Sequence, residues 1–253
     1  MTPDFALVSQ FAPTGTLRAS LNMGNPVLAH SRTAKERPAG VSIDLARELG
    51  RELGVPVIFL EFDTAAFSVE ALVRGDADLG FMAIDPKRAD NIQFSAAYVQ
   101  IEGVYLVPQG SPITANEQVD RADTTIVVGK GSAYALYLAR AITQATLLEV
   151  PTSEAVVAAM LEGGHPVAAG VRQQLESDAK RVGGVRLLDG RFMVINQAMA
   201  MPRDRSPQAH AYLADFVERM KREGFVAEAL QRHGIEGAKV AAVAENFPSP
   251  PTA

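Results

Sequence analysis

The first third of the chain alternates short apolar runs with amphipathic stretches. Residues 17–21, 55–62 and 79–84 are predicted strands, and the last of these runs is typical of a strand buried in a parallel sheet. Between them, residues 43–53 have apolar side chains at helical spacing, with Ser42 as the predicted N-cap, and residues 67–74 form a second predicted helix. This β-α-β-α-β order predicts a parallel sheet with right-handed crossovers.

The same alternation begins again after residue 123. Predicted strands at 124–128, 147–150 and 167–170 alternate with predicted helices at 133–142, 153–161 and 172–181. A β-rich segment at 192–201 and helices at 206–223 and 226–233 follow, and then a Pro-rich tail begins at Asn246.

Two βαβαβ sets of similar size predict an α/β fold with two lobes. We expect one lobe to comprise 1–107 plus 198–253 and the other 108–197, each with its own mostly parallel sheet flanked by helices. The segments 101–108 and 192–201 can cross between the lobes, which makes a hinged clamp. Its ligand is expected at the carboxyl ends of the strands. A single sheet through both sets would argue against this arrangement.

The composition narrows the classes of partner. The 253 residues have a net charge of −5, and no basic run is present, so we expect no nucleic-acid partner. No cysteine occurs, which excludes disulfides and thiolate metal sites. The apolar runs are far shorter than the roughly 18 residues that a membrane-spanning helix needs, so we expect a chain that is not membrane-embedded. We also expect a monomer.

The N-terminal sequence and the catalytic residue types complete this picture. Residues 1–6 lack the basic start and apolar core of a secretory signal, so a cytoplasmic location is expected, or a periplasmic one if a signal was removed. The four histidines, His30, His165, His210 and His233, show no metal-binding spacing, and Gly-x-Ser-x-Gly does not occur. We therefore predict no catalytic residue, no metal and no cofactor.

Several stretches, in this order, carry a family resemblance: GTLR at 15–18, GVSIDLA at 40–46, LG at 53–54, DPKRADNIQFSAAY at 85–98, VVGKGS at 127–132 and the closing helices at 216–234. With them the chain resembles solute-binding proteins of the type II periplasmic-binding fold, in the amino-acid-binding branch (bacterial extracellular solute-binding proteins, family 3). The resemblance spans nearly the whole chain, and the stretch at 85–98 is its most specific part. It implies that the protein binds a small solute between its lobes.

The resemblance places Arg88 where the family's arginine clamps the ligand carboxylate. A guanidinium presents a rigid fork of donors that matches a carboxylate. Gly131 and Ser132 open a predicted helix, whose free backbone N–H groups and dipole attract an anion. Lys130 faces either the cleft or the solvent.

The sequence departs from the family's pattern at two places. Amino-acid binders have a second-lobe Asp that pairs with the ligand's ammonium group, and here Arg172 stands at that place, give or take one position. Phe81, Met82 and Ala83 replace a small, hydroxyl-rich run that lines the family's site. Both departures favour a carboxylate or dicarboxylate ligand over an ordinary α-amino acid.

Other polar residues are candidates for the same cleft. Asn22 and Asn25 follow the first strand, and Tyr134 and Gln197 lie near the predicted second-lobe mouth and hinge. Glu102 precedes the crossover and is a candidate to accept a hydrogen bond or to hold Arg88.

The expected function is binding of a small carboxylate-bearing solute for transport, with a membrane permease as partner. Two alternatives remain open. One is a cytosolic metabolite sensor with a signalling partner. The other is a dehydratase-like enzyme on the same fold, for which Glu176, one turn beyond Arg172, is the candidate acid.

Overall fold

The structure is a computed structural model that describes residues 4–30 and 37–244. The Pro-rich tail predicted from Asn246 lies outside the described residues. Within them, no helix is both long enough and apolar enough to cross a membrane.

The elements of the first half follow the predicted alternation, with two short helices added. In chain order they are α1 (Phe5–Phe11), β1 (Leu17–Asn22), α2 (Val41–Leu53), β2 (Val57–Phe62), α3 (Ala65–Val73), β3 (Leu79–Ala83), α4 (Pro86–Ala89) and the long strand β4 (Ile92–Pro108). The N-cap of α2 is Gly40, and the prediction of Ser42 as the cap was wrong. Ser42 instead lies inside the helix, buried, with its hydroxyl 3.3 Å from the Tyr98 hydroxyl.

The second half repeats the alternation and then closes with two helices. Its elements are β5 (Thr125–Gly129), α5 (Ala133–Ala141), β6 (Thr146–Val150), α6 (Val156–Glu162), β7 (Val167–Val171), α7 (Arg172–Val182), β8 (Val185–Leu187), β9 (Met193–Pro202), α8 (Pro207–Arg222), α9 (Phe225–Arg232) and β10 (Lys239–Val240). Short 3-10 turns lie at Asn116–Gln118 and Ser153–Ala155.

The strands are hydrogen-bonded in the order β2-β1-β3-β9-β4-β7-β5-β6, with β8 and β10 also paired to β4. The pairs β1–β2, β1–β3, β5–β6 and β5–β7 are parallel, as predicted for each βαβαβ set. The expectation of two separate sheets was wrong, because hydrogen bonding continues from one set to the other. The continuity comes from β4 and β9, which are antiparallel to each other and contain the two segments predicted to cross.

The hydrophobic cores stay largely separate on the two sides of these central strands. One cluster packs around Phe11, Tyr98 and Phe216 and includes the buried face of α8, so the closing helices return to the first set. A second cluster is formed by side chains of the second set around Ile126 and Leu138. The lobe limits themselves, 1–107 plus 198–253 and 108–197, stay a prediction.

The parallel strands of both sets end at the same cleft. Three of the helices that follow these strands begin at a side-chain cap. Thr64 caps α3, Asp85 caps α4 and Ser132 caps α5, each by accepting a hydrogen bond from a backbone N–H of the first turn. Polar side chains and helix N-termini are therefore concentrated at this edge of the sheet.

Candidate ligand-binding site

A cavity of about 50 Å³ lies between the two βαβαβ sets. The first set lines it with loops after β1, β2 and β3, and the second set with loops after β5, β6 and β7, while β9 supplies the floor. The residues of its wall are Asn22, Gly24, Asn25, Asp63, Thr64, Ala65, Ala83, Arg88, Lys130, Ser132, Ala133, Tyr134, Ser153, Val171, Ile195 and Gln197. Since one water molecule needs roughly 10–15 Å³ of such a cavity, there is room for a small solute.

Arg88 is the buried charge of this cavity. Its side chain is held by two carbonyl groups: Nη1 donates to Ala83 O at 2.9 Å and Nη2 donates to Gly131 O at 3.0 Å. These bonds use two of the five N–H donors of a guanidinium. Burial lowers the pKa of Arg88 to about 10, and the charge of Asp85 opposes part of that shift, so the group is cationic at neutral pH.

No carboxylate among the described residues forms an ion pair with Arg88. The residue is only 6% exposed, and a buried charge without a counter-ion is costly. Arg88 can therefore recover free energy by binding an anion at its remaining donors.

The loop from Lys130 to Ser132 approaches Arg88 from the second set. Gly131 has φ of +67°, a conformation that favours glycine, and its carbonyl oxygen faces Arg88. The Ser132 hydroxyl oxygen accepts a hydrogen bond from Ala135 N at 3.1 Å, so it also acts as the helix cap. Lys130 lies at the cavity wall but is exposed, so it meets both the cleft and the solvent.

Two asparagines of the first set line the opposite wall. Asn22 is the last residue of β1, and its side-chain oxygen accepts a hydrogen bond from Gly24 N at 3.2 Å. The side-chain oxygen of Asn25 is buried and has no hydrogen-bond partner. This oxygen has almost no accessible surface, so Asn25 lines the cavity with its other atoms.

The second set adds two hydroxyl groups, and the hinge strand adds an amide. Tyr134 donates to Ser153 Oγ at 2.9 Å. Burial raises the pKa of Tyr134, although the hydrogen bond to Ser153 acts in the other direction, so the phenol remains a neutral donor. Gln197 on β9 is buried at the cavity floor.

Two residues of the predicted site lie in the hydrophobic core instead. Phe81 and Met82 are on β3 and are buried in separate hydrophobic clusters. Only Ala83, at the carboxyl end of the strand, reaches the cavity wall. The prediction was wrong for Phe81 and Met82 because a strand fully buried on both faces presents only its last residue to the edge of the sheet.

Arg172 and Glu102 also lie away from the cavity. Arg172 Nε donates to Glu102 Oε2 at 2.8 Å, and Arg191 donates to Glu102 Oε1 at 2.8 Å. Burial acts to raise the pKa of Glu102, but the two arginines outweigh it, so its pKa lies below the usual value. The expectations that Glu102 holds Arg88 and that Arg172 faces the ligand were both wrong.

Val171, one position before Arg172, is the residue of β7 that lines the cavity. Successive residues at the end of a strand point to opposite sides, so an offset of one position replaces a cation by an apolar side chain. The second set thus has neither an acid nor a cation at this point of the wall.

The sequence reasoning missed several residues of the wall, above all Asp63, Thr64 and Ser153. Asp63 and Thr64 follow β2, and Ser153 follows β6. The helix-capping pattern after β2 could have indicated Asp63 and Thr64, since Thr64 caps α3. Asp63 is the only carboxylate among the cavity-lining residues that the structure describes. Among all the residues that the structure describes, no group of three His, Cys, Asp or Glu side chains is placed to hold a metal ion.

Comparisons with known proteins show the family of the chain. The model of the bacterial extracellular solute-binding proteins, family 3, matches residues 21–236. No curated protein sequence matches the chain significantly.

Solved structures share the fold at low sequence identity. The solute receptor for L-cysteine of Neisseria gonorrhoeae is 21% identical with a TM-score of 0.77, over 91% of this chain and 94% of that one. A binding component of an ABC transporter from Wolinella succinogenes, complexed with lysine, is 21% identical with a TM-score of 0.74, over 87% and 95%. An ancestral amino-acid-binding protein, a precursor of cyclohexadienyl dehydratase, is 20% identical with a TM-score of 0.74, over 89% and 97%.

The chain belongs to the bacterial extracellular solute-binding proteins, family 3, and has the type II periplasmic-binding fold that it shares with these solved structures.

Proposed function

We propose that this chain binds a small carboxylate-bearing solute in the cleft and hands it to a membrane permease without changing it chemically. The observation that carries the proposal is the buried, unpaired guanidinium of Arg88 at the cavity wall. A carboxylate bound there receives charge-assisted hydrogen bonds and removes the cost of an isolated buried cation. From the second set, Lys130 adds a positive charge to the cavity wall and Ser132 adds a hydroxyl group.

The wall also restricts the solute beyond its carboxylate. Val171 offers no counter-charge for an ammonium group where the second set would need one, and the cavity is small. A short hydroxy acid meets both conditions, whereas an amino acid would depend on exposed Asp63 for its counter-charge.

The binding role is favoured over a dehydratase-like activity because the candidate acid lies elsewhere. Glu176 lines a separate groove beside α7, together with Arg172, to which it is 3.8 Å away. It is thus not among the cavity-lining residues that the structure describes, and a proton donor must reach the reacting atom to act.

A thermal-shift screen against a panel of organic acids and amino acids tests the proposal, with titration calorimetry on the hits. We expect at least one short carboxylic acid to raise the melting temperature and its uncharged amide to have no effect. After prolonged incubation, NMR should recover the acid unchanged. Equal stabilisation by acid and amide would contradict the anion site, and conversion of the acid would contradict the purely binding role.

A further inference from the structure

The one-turn helix α4 contacts the second βαβαβ set through an ion pair that is separate from the cavity. Arg140, near the end of α5, donates from Nη2 to Asp85 Oδ2 at 2.7 Å, and 55 residues separate the two in the chain. The Asp85 side chain is 4% exposed and that of Arg140 is 47% exposed. The pair therefore joins a buried carboxylate on one side of the cleft to a half-exposed cation on the other.

Each oxygen of Asp85 has a distinct task. Oδ1 accepts a hydrogen bond from Lys87 N at 2.9 Å and so caps α4. Oδ2 is the oxygen that Arg140 reaches. The cap lies within the first set, whereas the Arg140 contact exists only while the two sets are together.

The same turn makes a second contact of opposite sense. Arg88, three residues after Asp85, donates to the carbonyl oxygen of Gly131 across the cleft. A first-set cation thus binds a second-set carbonyl, and a second-set cation binds a first-set carboxylate. Both contacts are broken if the sets move apart around β4 and β9.

The contact between Arg140 and Asp85 is the stronger of the two, because both of its partners are charged. If the cleft opens, Asp85 loses its only ion-pair partner among the described residues. Removing the partner of a buried charge is unfavourable, so the closed arrangement gains free energy from the pair. Since Arg140 is half exposed, that gain is reduced by solvent.

We propose that Arg140 and Asp85 form a cross-cleft latch that holds the two βαβαβ sets closed over Arg88, whichever solute is bound. Arg140 is a positioning residue and does not touch the solute. By raising the closed population it increases solute affinity in proportion and slows release. This inference does not depend on the carboxylate being the right solute class.

The latch can be tested without any solute, by measuring the distance between the sets. The chain contains no cysteine, so Val73→Cys on α3 and Leu161→Cys on α6, both exposed positions, provide the two label sites for pulsed electron spin resonance. The distance distribution should contain a component at the spacing of the present structure. Arg140→Ala should lower the ratio of this component to the longer one roughly fivefold.

Further variants separate the ion pair from other effects of the substitution. Asp85→Asn keeps one oxygen for the cap, removes the negative charge and places an NH2 group where Arg140 meets Oδ2. Combining it with Arg140→Ala should lower the closed fraction no further than either change alone. Arg140→Lys should restore part of it. Arg181→Ala is the matched control, because Arg181 is an exposed arginine that pairs with a buried carboxylate, Asp178, inside one helix.

Circular dichroism of each variant confirms that the fold is retained. The proposal is overturned if the unsubstituted labelled chain shows no closed component or if Arg140→Ala leaves it unchanged. It is also overturned if the effects of Arg140→Ala and Asp85→Asn simply add, or if Arg181→Ala lowers the closed fraction equally.

Discussion

Gly131 and Ala66 face each other across the cleft, so closely that a Cβ atom placed on Gly131 would lie 3.0 Å from the Ala66 Cβ. The backbone of Gly131 also has a positive φ of +67°, which disfavours any side chain. These two facts make Gly131 a point where a single methyl group affects both local conformation and closure.

Gly131→Ala should therefore weaken solute binding more than a comparable change elsewhere. Gly54 is the matched control, because its φ is +68° but nothing lies within 4 Å of its Cβ position. Both variants should lose about 1–2 kcal/mol of unfolding free energy from the left-handed conformation. Only Gly131→Ala should also lower affinity for the screened acid, by about fivefold, because the cleft closes less well. Equal affinities of the two variants in calorimetry would show that the contact does not matter for binding.

Arg88→Ala should weaken binding of the same acid by roughly a hundredfold or more, since it leaves a buried carboxylate without its charged donor. Arg88→Lys should not restore the affinity, because an ammonium group lacks the planar fork. Arg74→Ala, which removes an exposed arginine already paired with Glu70 and Asp76, serves as control and should bind normally. Calorimetric affinity unchanged in Arg88→Ala would refute the role given to Arg88.

The preferred chemical group next to the solute's carboxylate can be tested with a matched series, such as lactate, alanine and propionate. We expect the hydroxy acid to bind more tightly than the amino acid, because a buried ammonium group would lack a close counter-charge from the second set. If the amino acid binds more tightly, the ligand-class prediction is wrong. Loss of that preference in Asp63→Asn would then identify Asp63 as the ammonium partner.

Asp120 should make the free energy of unfolding depend on pH in the acid range. Its carboxylate accepts hydrogen bonds from the backbone N–H groups of Ala145, Gln144 and Thr143, and these lower its pKa from 3.8 to about 2. A group whose folded pKa is depressed stabilises the fold above its unfolded pKa and loses that contribution as the pH falls towards the folded value.

The unfolding free energy lost in Asp120→Asn should thus be largest at pH 5 and above, and should shrink between about pH 4 and pH 2. Urea unfolding at several pH values measures it. Asp123→Asn, at a nearby exposed carboxylate, is the control for the loss of one negative charge. A constant difference for Asp120→Asn across this range would contradict the assignment.

Much of the fold could be predicted because its determinants are local. The alternation of apolar runs and helical stripes identified the strands from β1 to β3 and from β5 to β7 nearly residue by residue. Ser132 was predicted at the cleft for the same reason, since a serine before a helix is readable in a few residues. Arg88 was predicted there from the family resemblance of residues 85–98.

What only the tertiary structure decided is the partner of each side chain across long sequence distances. Val171 rather than Arg172 reaches the cavity. The sequence could not predict this, because successive residues of a strand point to opposite sides and the pattern was uncertain by one position. Glu102 pairs with Arg172, 70 residues away, and Asp85 with Arg140, because β4 and β9 join both sets in one sheet and thereby bring distant segments together. The sequence by itself determined the elements and the charged residues available to them. The docking of the two sets determined which of those charges meet each other, which face the cavity, and that Arg88 remains without a counter-ion.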